Sequence, residues 1–202
     1  GTDTRIGGLV GYNTETISLS FSDVSIIGNV ILGGLVGYNK GAITQSYATG
    51  ATEGGDNSFV GGLVGWNDFD SFQTGTISQS YATGVVVGGG TTTQLGDCCS
   101  YPPQVQAQVG GLVGLNGGTI ASSYASNSVQ GGSGYGTFVG GLVGGNWGNV
   151  SQSFATGSVS GGDDSWIGGL VGSDWYSSLT KVYATGSVTG GQGAAAGGLV
   201  GS

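Results

Sequence analysis

The sequence predicts an all-β protein: a parallel β-solenoid (β-helix) of about six coils of ~28 residues, with three short strands per coil and insertions in the third coil. Gly-Gly-Leu-Val-Gly occurs seven times, and its leucines lie 26, 28, 49, 30, 28 and 29 residues apart. A period in this range is typical of solenoids, in which each repeat stacks on its neighbours. The 48 glycines among 202 residues also disfavour helices, because each glycine inside a helix costs about 1 kcal/mol. The seven leucines are Leu9, Leu35, Leu63, Leu112, Leu142, Leu170 and Leu199.

Other residue types repeat in phase with the leucine. An amide residue follows it by four positions, and an aromatic residue follows later in the same cycle. The amide positions are Asn13, Asn39, Asn67, Asn116, Asn146 and, in the sixth cycle, Asp174. The aromatic positions are Phe21, Tyr47, Tyr81, Tyr124, Phe154 and Tyr183.

The segments between glycines are short and rich in Val, Ile, Thr, Tyr and Ser, which favours strands. We predict one strand around Gly-Gly-Leu-Val-Gly, one around Ile-x-x-Ser-Tyr-Ala-Thr and one around x-Val-x-Gly. In a parallel stack the Leu, Ile and Val positions would fill the interior, and the Asn positions would form a hydrogen-bonded ladder. The aromatic positions have two alternatives. Tyr47 and Tyr81 face outward while Ser46 and Ala48 point inward, or the rings face the interior.

We expect one domain, residues 1–202, with cycles that start near residues 7, 33, 61, 110, 140 and 168 and a partial repeat at 197–202. The third cycle holds two insertions, 68–76 and 90–108. Corners of a solenoid accommodate such loops because the stacked strands stay undisturbed. The loops either carry recognition or only shield the rod.

The second insertion contains the two cysteines of the chain, Cys98 and Cys99, and also Tyr101. Adjacent Cα atoms lie about 3.8 Å apart, which is closer than ordinary disulfide geometry allows. The alternatives are a strained vicinal disulfide, links to a second subunit, or free thiols, and we favour the vicinal disulfide.

The excess of acidic over basic residues limits the classes of molecule that the chain can bind. Three Lys and Arg residues against eleven Asp and Glu residues give a formal net charge of −8. We expect no nucleic acid partner, because binding phosphates requires a basic surface. We also expect no membrane insertion, because the sequence has no run of 18 apolar residues.

We expect no enzymatic activity and no cofactor. Histidine is absent, and the acidic residues are scattered among different corners, whereas acid–base catalysis needs positioned groups on one face. The closest acidic pairs are Asp68-x-Asp70 and Asp163-Asp164. Loops of this kind bind Ca²⁺ through carboxylate oxygens, so Ca²⁺ stays open as an alternative.

Aromatic residues near the Asn corner form a candidate contact surface. Tyr12, Tyr38 and Trp66 follow their leucines by three residues, while Trp147 and Trp175 follow theirs by five. Together with Tyr101, these are our candidates for contact with a ligand or with a neighbouring rod, because exposed aromatic rows stack on sugars or on other proteins. The alternative is that they cover the hydrophobic edge of the corner.

The sequence starts just ahead of one Gly-Gly-Leu-Val-Gly and stops one residue past another, with no polar cap at either end. Open coils template further strands. We therefore expect either a segment of a longer repeat protein or copies that stack end to end into a fibre.

The segments Gly33-Gly34-Leu35-Val36-Gly37-Tyr38-Asn39 and Ser46-Tyr47-Ala48-Thr49-Gly50, with their counterparts in other cycles, resemble GLUG-motif repeats of large bacterial and archaeal surface proteins. The resemblance covers essentially the whole chain. It implies an extracellular, cell-surface, often adhesin-like repeat region, predicted to be a β-solenoid, and it brings no catalytic residue with it.

We therefore expect a non-catalytic extracellular structural protein. It would stack on itself, head to tail, into a surface filament or form the rod of an adhesin. The alternative is an adhesion module that binds carbohydrates or surfaces, including surface glycans, through the corner aromatics and the loops of the third coil.

Overall fold

The computed structural model describes residues 4–68, 73–92 and 106–202. Over these ranges the chain forms short strands and turns and contains no helix. Consequently, no helix in this part of the chain has the length and apolar character needed to cross a membrane. The strands wind into six coils, each with five strands, and a seventh coil begins at the C-terminal side.

Strands at the same position in successive coils pair into five sheets. The strands of sheet 1 are Arg5–Gly7, Ile31–Gly33, Phe59–Gly61, Gln108–Gly110, Phe138–Gly140, Trp166–Gly168 and Ala195–Gly197. The strands of sheet 2 are Val10–Asn13, Val36–Asn39, Val64–Asn67, Val113–Asn116, Val143–Asn146 and Val171–Asp174.

Sheets 3 to 5 complete each coil. The strands of sheet 3 are Thr16–Ser18, Ala42–Thr44, Thr76–Ser78, Thr119–Ala121, Asn149–Ser151 and Ser178–Thr180. The strands of sheet 4 are Phe21–Ser22, Tyr47–Ala48, Tyr81–Ala82, Tyr124–Ala125, Phe154–Ala155 and Tyr183–Ala184. The strands of sheet 5 are Ile26–Gly28, Thr52–Gly54, Val86–Val87, Val129–Gln130, Val159–Gly161 and Val188–Gly190.

All pairings between coils are parallel and join equivalent positions of the repeat. Asn67, for example, pairs with Asn39 of the coil before and Asn116 of the coil after. The predicted parallel β-solenoid of about six coils is therefore confirmed. The leucines of the Gly-Gly-Leu-Val-Gly motif, here called the signature leucines, stack directly on one another in consecutive coils. For example, the N–H of Leu63 donates to the carbonyl O of Leu112 at 2.9 Å.

The prediction of three strands per coil is wrong, because two of the predicted strands each contain a bend. The Gly-Gly-Leu-Val-Gly segment bends at its Gly-Leu step, and its two halves lie in sheets 1 and 2. The Ile-x-x-Ser-Tyr segment bends at a residue with positive φ and divides between sheets 3 and 4. The bend residues are Leu19, Gln45, Gln79, Ser122, Gln152 and Lys181, with φ between 48° and 54°.

Two separate apolar cores run along the coils. The first joins the signature leucine with Val of sheet 2, Ile or Val of sheet 3 and Ala of sheet 4, as in Leu112, Val113, Ile120 and Ala125. The second lies between sheets 1 and 5 and includes Val109 and Val129. The Leu, Ile and Val positions thus fill the interior as predicted, but in two cores and not one.

Sheets 1 and 2 pack against each other through glycine. A Cβ on Gly65 of sheet 2 would lie 2.8 Å from the backbone N of Leu32 in sheet 1 and 2.8 Å from the carbonyl O of Gly37. Real Cβ atoms do not approach that closely. Glycine at this position therefore permits the close contact that separates the two cores.

Both insertions of the third coil lie partly outside the described residues, which omit 69–72 and 93–105. The described parts remain attached to the stack. The N–H of Thr76 donates to the carbonyl O of Gly41, and the N–H of Thr91 donates to the carbonyl O of Ser133. The two insertions therefore leave the parallel stack intact, as expected for loops at corners.

Candidate functional site

The buried Asn ladder is the most regular polar feature of the stack. Each Asn donates from Nδ2 to Oδ1 of the residue one coil later, at 2.7–2.8 Å. The same Nδ2 also donates to a backbone carbonyl in its own coil, as in Asn146 to Gly148 at 3.1 Å. Asp174 ends the ladder and accepts from Asn146 and from the Ser177 hydroxyl. The ladder satisfies its own groups, so its role is structural.

The aromatic residues of sheet 4 face outward, which settles the alternative left open by the sequence. Ser46 and Ala48 are buried, whereas Tyr47 between them is only half-buried. The six rings form one continuous stack, with neighbouring centroids 4.9–5.2 Å apart and ring planes within 9° of parallel. Burial, followed by the neighbouring Tyr124 and Tyr47, raises the pKa of the Tyr81 phenol.

This stacked ladder offers little to a ligand that binds ring faces. Each inner ring has a neighbouring ring on both faces, so mainly ring edges meet solvent. The end rings of the described stack are more exposed, 57 % for Phe21 and 50 % for Tyr183. The ladder therefore stabilises the side of the rod chiefly through stacking.

The predicted row Tyr12, Tyr38 and Trp66 does come together on consecutive coils. The rings of Tyr12 and Tyr38 stack at 5.2 Å, and Trp66 meets Tyr38 edge-on at 5.0 Å. Tyr38 is only 7 % exposed, so it covers the edge of the corner more than it offers a ligand surface. The Nε1 atom of Trp66 is buried and has no hydrogen-bond partner among the residues that the structure describes.

Charged groups surround this row. The guanidinium of Arg5 lies over the rings of Tyr38 and Tyr12, at 4.8 and 5.2 Å. The Tyr38 hydroxyl donates to Oδ2 of the buried Asp68, and Lys40 Nζ lies 3.8 Å from the same oxygen. Burial, followed by the hydrogen bond to Asp68 and its negative charge, raises the pKa of the Tyr38 phenol far above its usual range. The cluster thereby anchors the start of the insertion at residue 68.

Trp147 and Trp175 also meet, with their rings stacked at 4.3 Å. They are distant in sequence from Tyr12, Tyr38 and Trp66. Their ring contacts extend to three further aromatic residues that the sequence analysis did not predict. Trp175 packs edge-on against Phe138 at 4.9 Å, Phe138 stacks on Trp166 at 5.1 Å, and Trp166 meets Tyr135 at 5.4 Å. We call Tyr135, Phe138, Trp147, Trp166 and Trp175 the aromatic cluster.

A signal for the missed residues does exist in the sequence. Tyr135 lies where the leucine interval lengthens to 30 residues. Phe138 and Trp166 both occupy the first position of sheet 1 and pair directly, and Phe59 occupies the same position two coils before Phe138. The contacts of Phe138 with Trp166 and of Trp147 with Trp175 therefore follow the repeat, whereas Tyr135 departs from it.

Three predicted residues, Tyr101, Cys98 and Cys99, lie outside the described residues, as does Asp70 of the acidic pair. In the described ranges no group of three or more His, Cys, Asp or Glu residues comes together in a way that would hold a metal ion. The Asp163 carboxylate instead accepts the backbone N–H of Gln192 in the next coil at 2.6 Å.

Two segments of the chain, residues 106–130 and 135–160, match the family model described as the GLUG motif. The chain carries the GLUG motif. The first matched segment covers the coil that runs from Gln108 to Gln130, and the second covers nearly all of the coil from Phe138 to Gly161. One GLUG motif therefore corresponds to one five-stranded coil. No curated protein and no solved structure matched the chain.

Proposed function

We propose that this chain is a non-catalytic structural rod of an extracellular, cell-surface protein, in which stacked GLUG coils form the stalk of an adhesin. The observation that carries the proposal is the uninterrupted register of equivalent residues through all six coils. The core, the Asn ladder and the outward aromatic stack each pass through every coil. Such a stack grows in length with each added repeat, because each coil contacts mainly its neighbours.

The test is to insert one extra coil. A second copy of residues 138–165, placed directly before Trp166, repeats one complete coil without a shift of register. We expect a folded protein that is longer by about 4.8 Å along the axis, the spacing of neighbouring strands. Small-angle X-ray scattering measures the length, and denaturant unfolding measures the stability. The matched control inserts the same 28 residues in scrambled order.

An inserted coil that stays unfolded, or that destabilises the protein as much as the scrambled segment does, would refute the rod. Fibres seen by electron microscopy in concentrated samples of the unaltered 202-residue chain would favour the filament instead. The location is tested separately. Antibodies against the chain should label intact source cells without permeabilisation, and labelling only after permeabilisation would contradict a surface role.

A further inference from the structure

The aromatic cluster consists of two pairs at shared positions of the repeat, Phe138 with Trp166 and Trp147 with Trp175, together with the loop residue Tyr135. Tyr135 lies in a loop between Gly134 and Gly136, whose φ angles of 119° and 85° are accessible chiefly to glycine. Trp147 and Trp175 follow the ladder residues Asn146 and Asp174 directly. The stack itself does not require aromatic residues there, since the residue after Asn116 is a glycine and the one after Asn13 is a threonine.

The cluster forms one connected surface with a buried base and a partly exposed rim. Phe138 is 1 % exposed and touches both Trp166 and Trp175. The three tryptophans are half-buried, and Tyr135 is 59 % exposed. Centroid separations along the chain of contacts are 5.4, 5.1, 4.9 and 4.3 Å. In contrast to the sheet 4 ladder, consecutive rings here alternate between stacked and edge-on contacts.

Charge narrows the class of ligand. The chain has a formal net charge of −8, and the exposed Asp163 and Asp164 lie two to three residues before Trp166. Anionic ligands would be repelled at this place. Two exposed polar residues lie close to the cluster in sequence, Asp164 two positions before Trp166 and Asn149 two positions after Trp147. Their side-chain oxygens accept hydrogen bonds from hydroxyl groups.

Size argues against a protein partner. With at most about 250 Å² for each aromatic side chain, the exposed parts of the cluster amount to at most roughly 400 Å². Stable protein interfaces bury about 800 Å² on each partner. The cluster is therefore too small for a stable protein contact but large enough for a few rings of a small or linear ligand.

From these observations we propose that the aromatic cluster binds a neutral glycan, with pyranose rings stacked on the tryptophans. The apolar C–H faces of a pyranose pack on aromatic rings, while its hydroxyl groups donate to neighbouring oxygens. This proposal goes beyond the rod and does not depend on it, because a binding surface on coils four to six needs only those coils to be folded.

Ligand binding at this site can be followed by intrinsic tryptophan fluorescence, because three of the four tryptophans of the chain belong to the cluster. The full 202-residue chain is titrated with neutral oligomers of β-1,4-linked glucose, β-1,4-linked N-acetylglucosamine and mannose, and with oligogalacturonate as the anionic probe. Isothermal titration calorimetry gives the dissociation constants. We expect one neutral series to bind and to change the fluorescence, and oligogalacturonate not to bind.

Variants localise the site. Trp166→Ala should weaken binding at least tenfold, and Tyr135→Gly, in an exposed loop outside the strands, should weaken it severalfold without affecting the fold. Trp66→Phe and Tyr81→Ala, both outside the cluster, should bind as the unaltered chain does. Circular dichroism confirms that each variant is folded.

Three outcomes would overturn the proposal. The first is that none of the neutral oligomers binds. The second is that binding persists unchanged in both Trp166→Ala and Tyr135→Gly, or that the anionic probe binds better. The third is that analytical ultracentrifugation shows a dimer that Tyr135→Gly abolishes, which would make the cluster a contact between two copies. The coil-insertion experiment is independent of all three.

Discussion

Asn116 donates a hydrogen bond from Nδ2 to Oδ1 of Asn146 at 2.7 Å, although 30 residues separate the two in sequence. Both side chains are buried. Asn116 also accepts from Asn67 through its Oδ1, at 2.8 Å. Each amide in the middle of the ladder thus needs both its donor and its acceptor.

Asn116→Asp should therefore lower the free energy of unfolding by about 3 kcal/mol or more at neutral pH, because a carboxylate cannot donate to Asn146 and is buried. The matched change at the end of the ladder is Asp174→Asn. Its Oδ1 keeps both acceptor contacts, to Asn146 and Ser177, so we expect a change within about 1 kcal/mol. Urea unfolding measures both. Equal losses in the two variants would show that the polarity of the ladder does not matter.

The second glycine of each signature motif provides a matched pair in one position of the repeat. A Cβ on Gly111 would collide with the carbonyl O of Gly141 in the next coil and lie 2.7 Å from Asn127 Oδ1, whereas a Cβ on Gly198 would meet no atom of the described residues within 4 Å. Gly111→Ala should lower the free energy of unfolding by about 1–3 kcal/mol through overpacking, and Gly198→Ala should leave it nearly unchanged. If Gly111→Ala is as stable as Gly198→Ala, the spacing between coils is looser than described.

The bend between sheets 3 and 4 uses a left-handed residue in every coil. Ser122 is exposed and has φ of 49°, a conformation that costs a non-glycine residue about 1–2 kcal/mol. Ser122→Gly should raise the free energy of unfolding by about 0.5–1 kcal/mol, after the greater freedom of glycine in the unfolded chain is subtracted.

The control for this change is Ser151→Gly, in the strand Asn149–Ser151. There glycine relieves no strain, so we expect a loss of about 0.5–1 kcal/mol. Differential scanning calorimetry of both variants gives the comparison. A loss of stability in Ser122→Gly would argue against the left-handed bend.

The environment of Tyr38 predicts a dependence on high pH. Its pKa is raised by burial, by the hydrogen bond to Asp68 and by the charge of Asp68. The neutral phenol is therefore favoured in the folded state. This contribution to stability is fully present below the ordinary tyrosine pKa of about 10 and is lost as the pH rises above it.

Asp68→Asn removes the negative charge and should lower the pKa of Tyr38, although burial keeps it above the ordinary value. NMR of ring-labelled tyrosine resolves the titration of Tyr38 in both proteins. Identical titration curves would mean that Asp68 does not act on Tyr38.

The repeat positions were sufficient to predict the parallel stack and the buried Leu, Ile and Val columns. They did not predict the number of strands per coil, which is five and not three. The bend residues Leu19, Gln45 and Ser122 share no residue type, and none is the glycine or asparagine that signals positive φ. The bend also shifts the alternation of inward and outward residues, which is why the direction of Tyr47 could not be deduced.

The candidate site shows a second limit of the sequence. Tyr12, Tyr38 and Trp66 share one position of the repeat, so their proximity followed from the period. Tyr135 and Trp166 occupy different positions of the repeat and meet where the loop around Tyr135 lies against the next coil, as the hydrogen bond from the N–H of Gly134 to the carbonyl O of Asp163 shows. A period identifies which residues stack, but contacts across different positions depend on the shape of each coil.

The Asn ladder gives the solenoid a direction. From Asn13 to Asp174, every amide donates toward the C-terminal side. The first coil therefore presents an acceptor outward, and so does Asp174, which as a carboxylate has no proton to give. The stack of coils is thus polar along its axis. Reversing one coil end for end would place donor against donor at one of its junctions and acceptor against acceptor at the other.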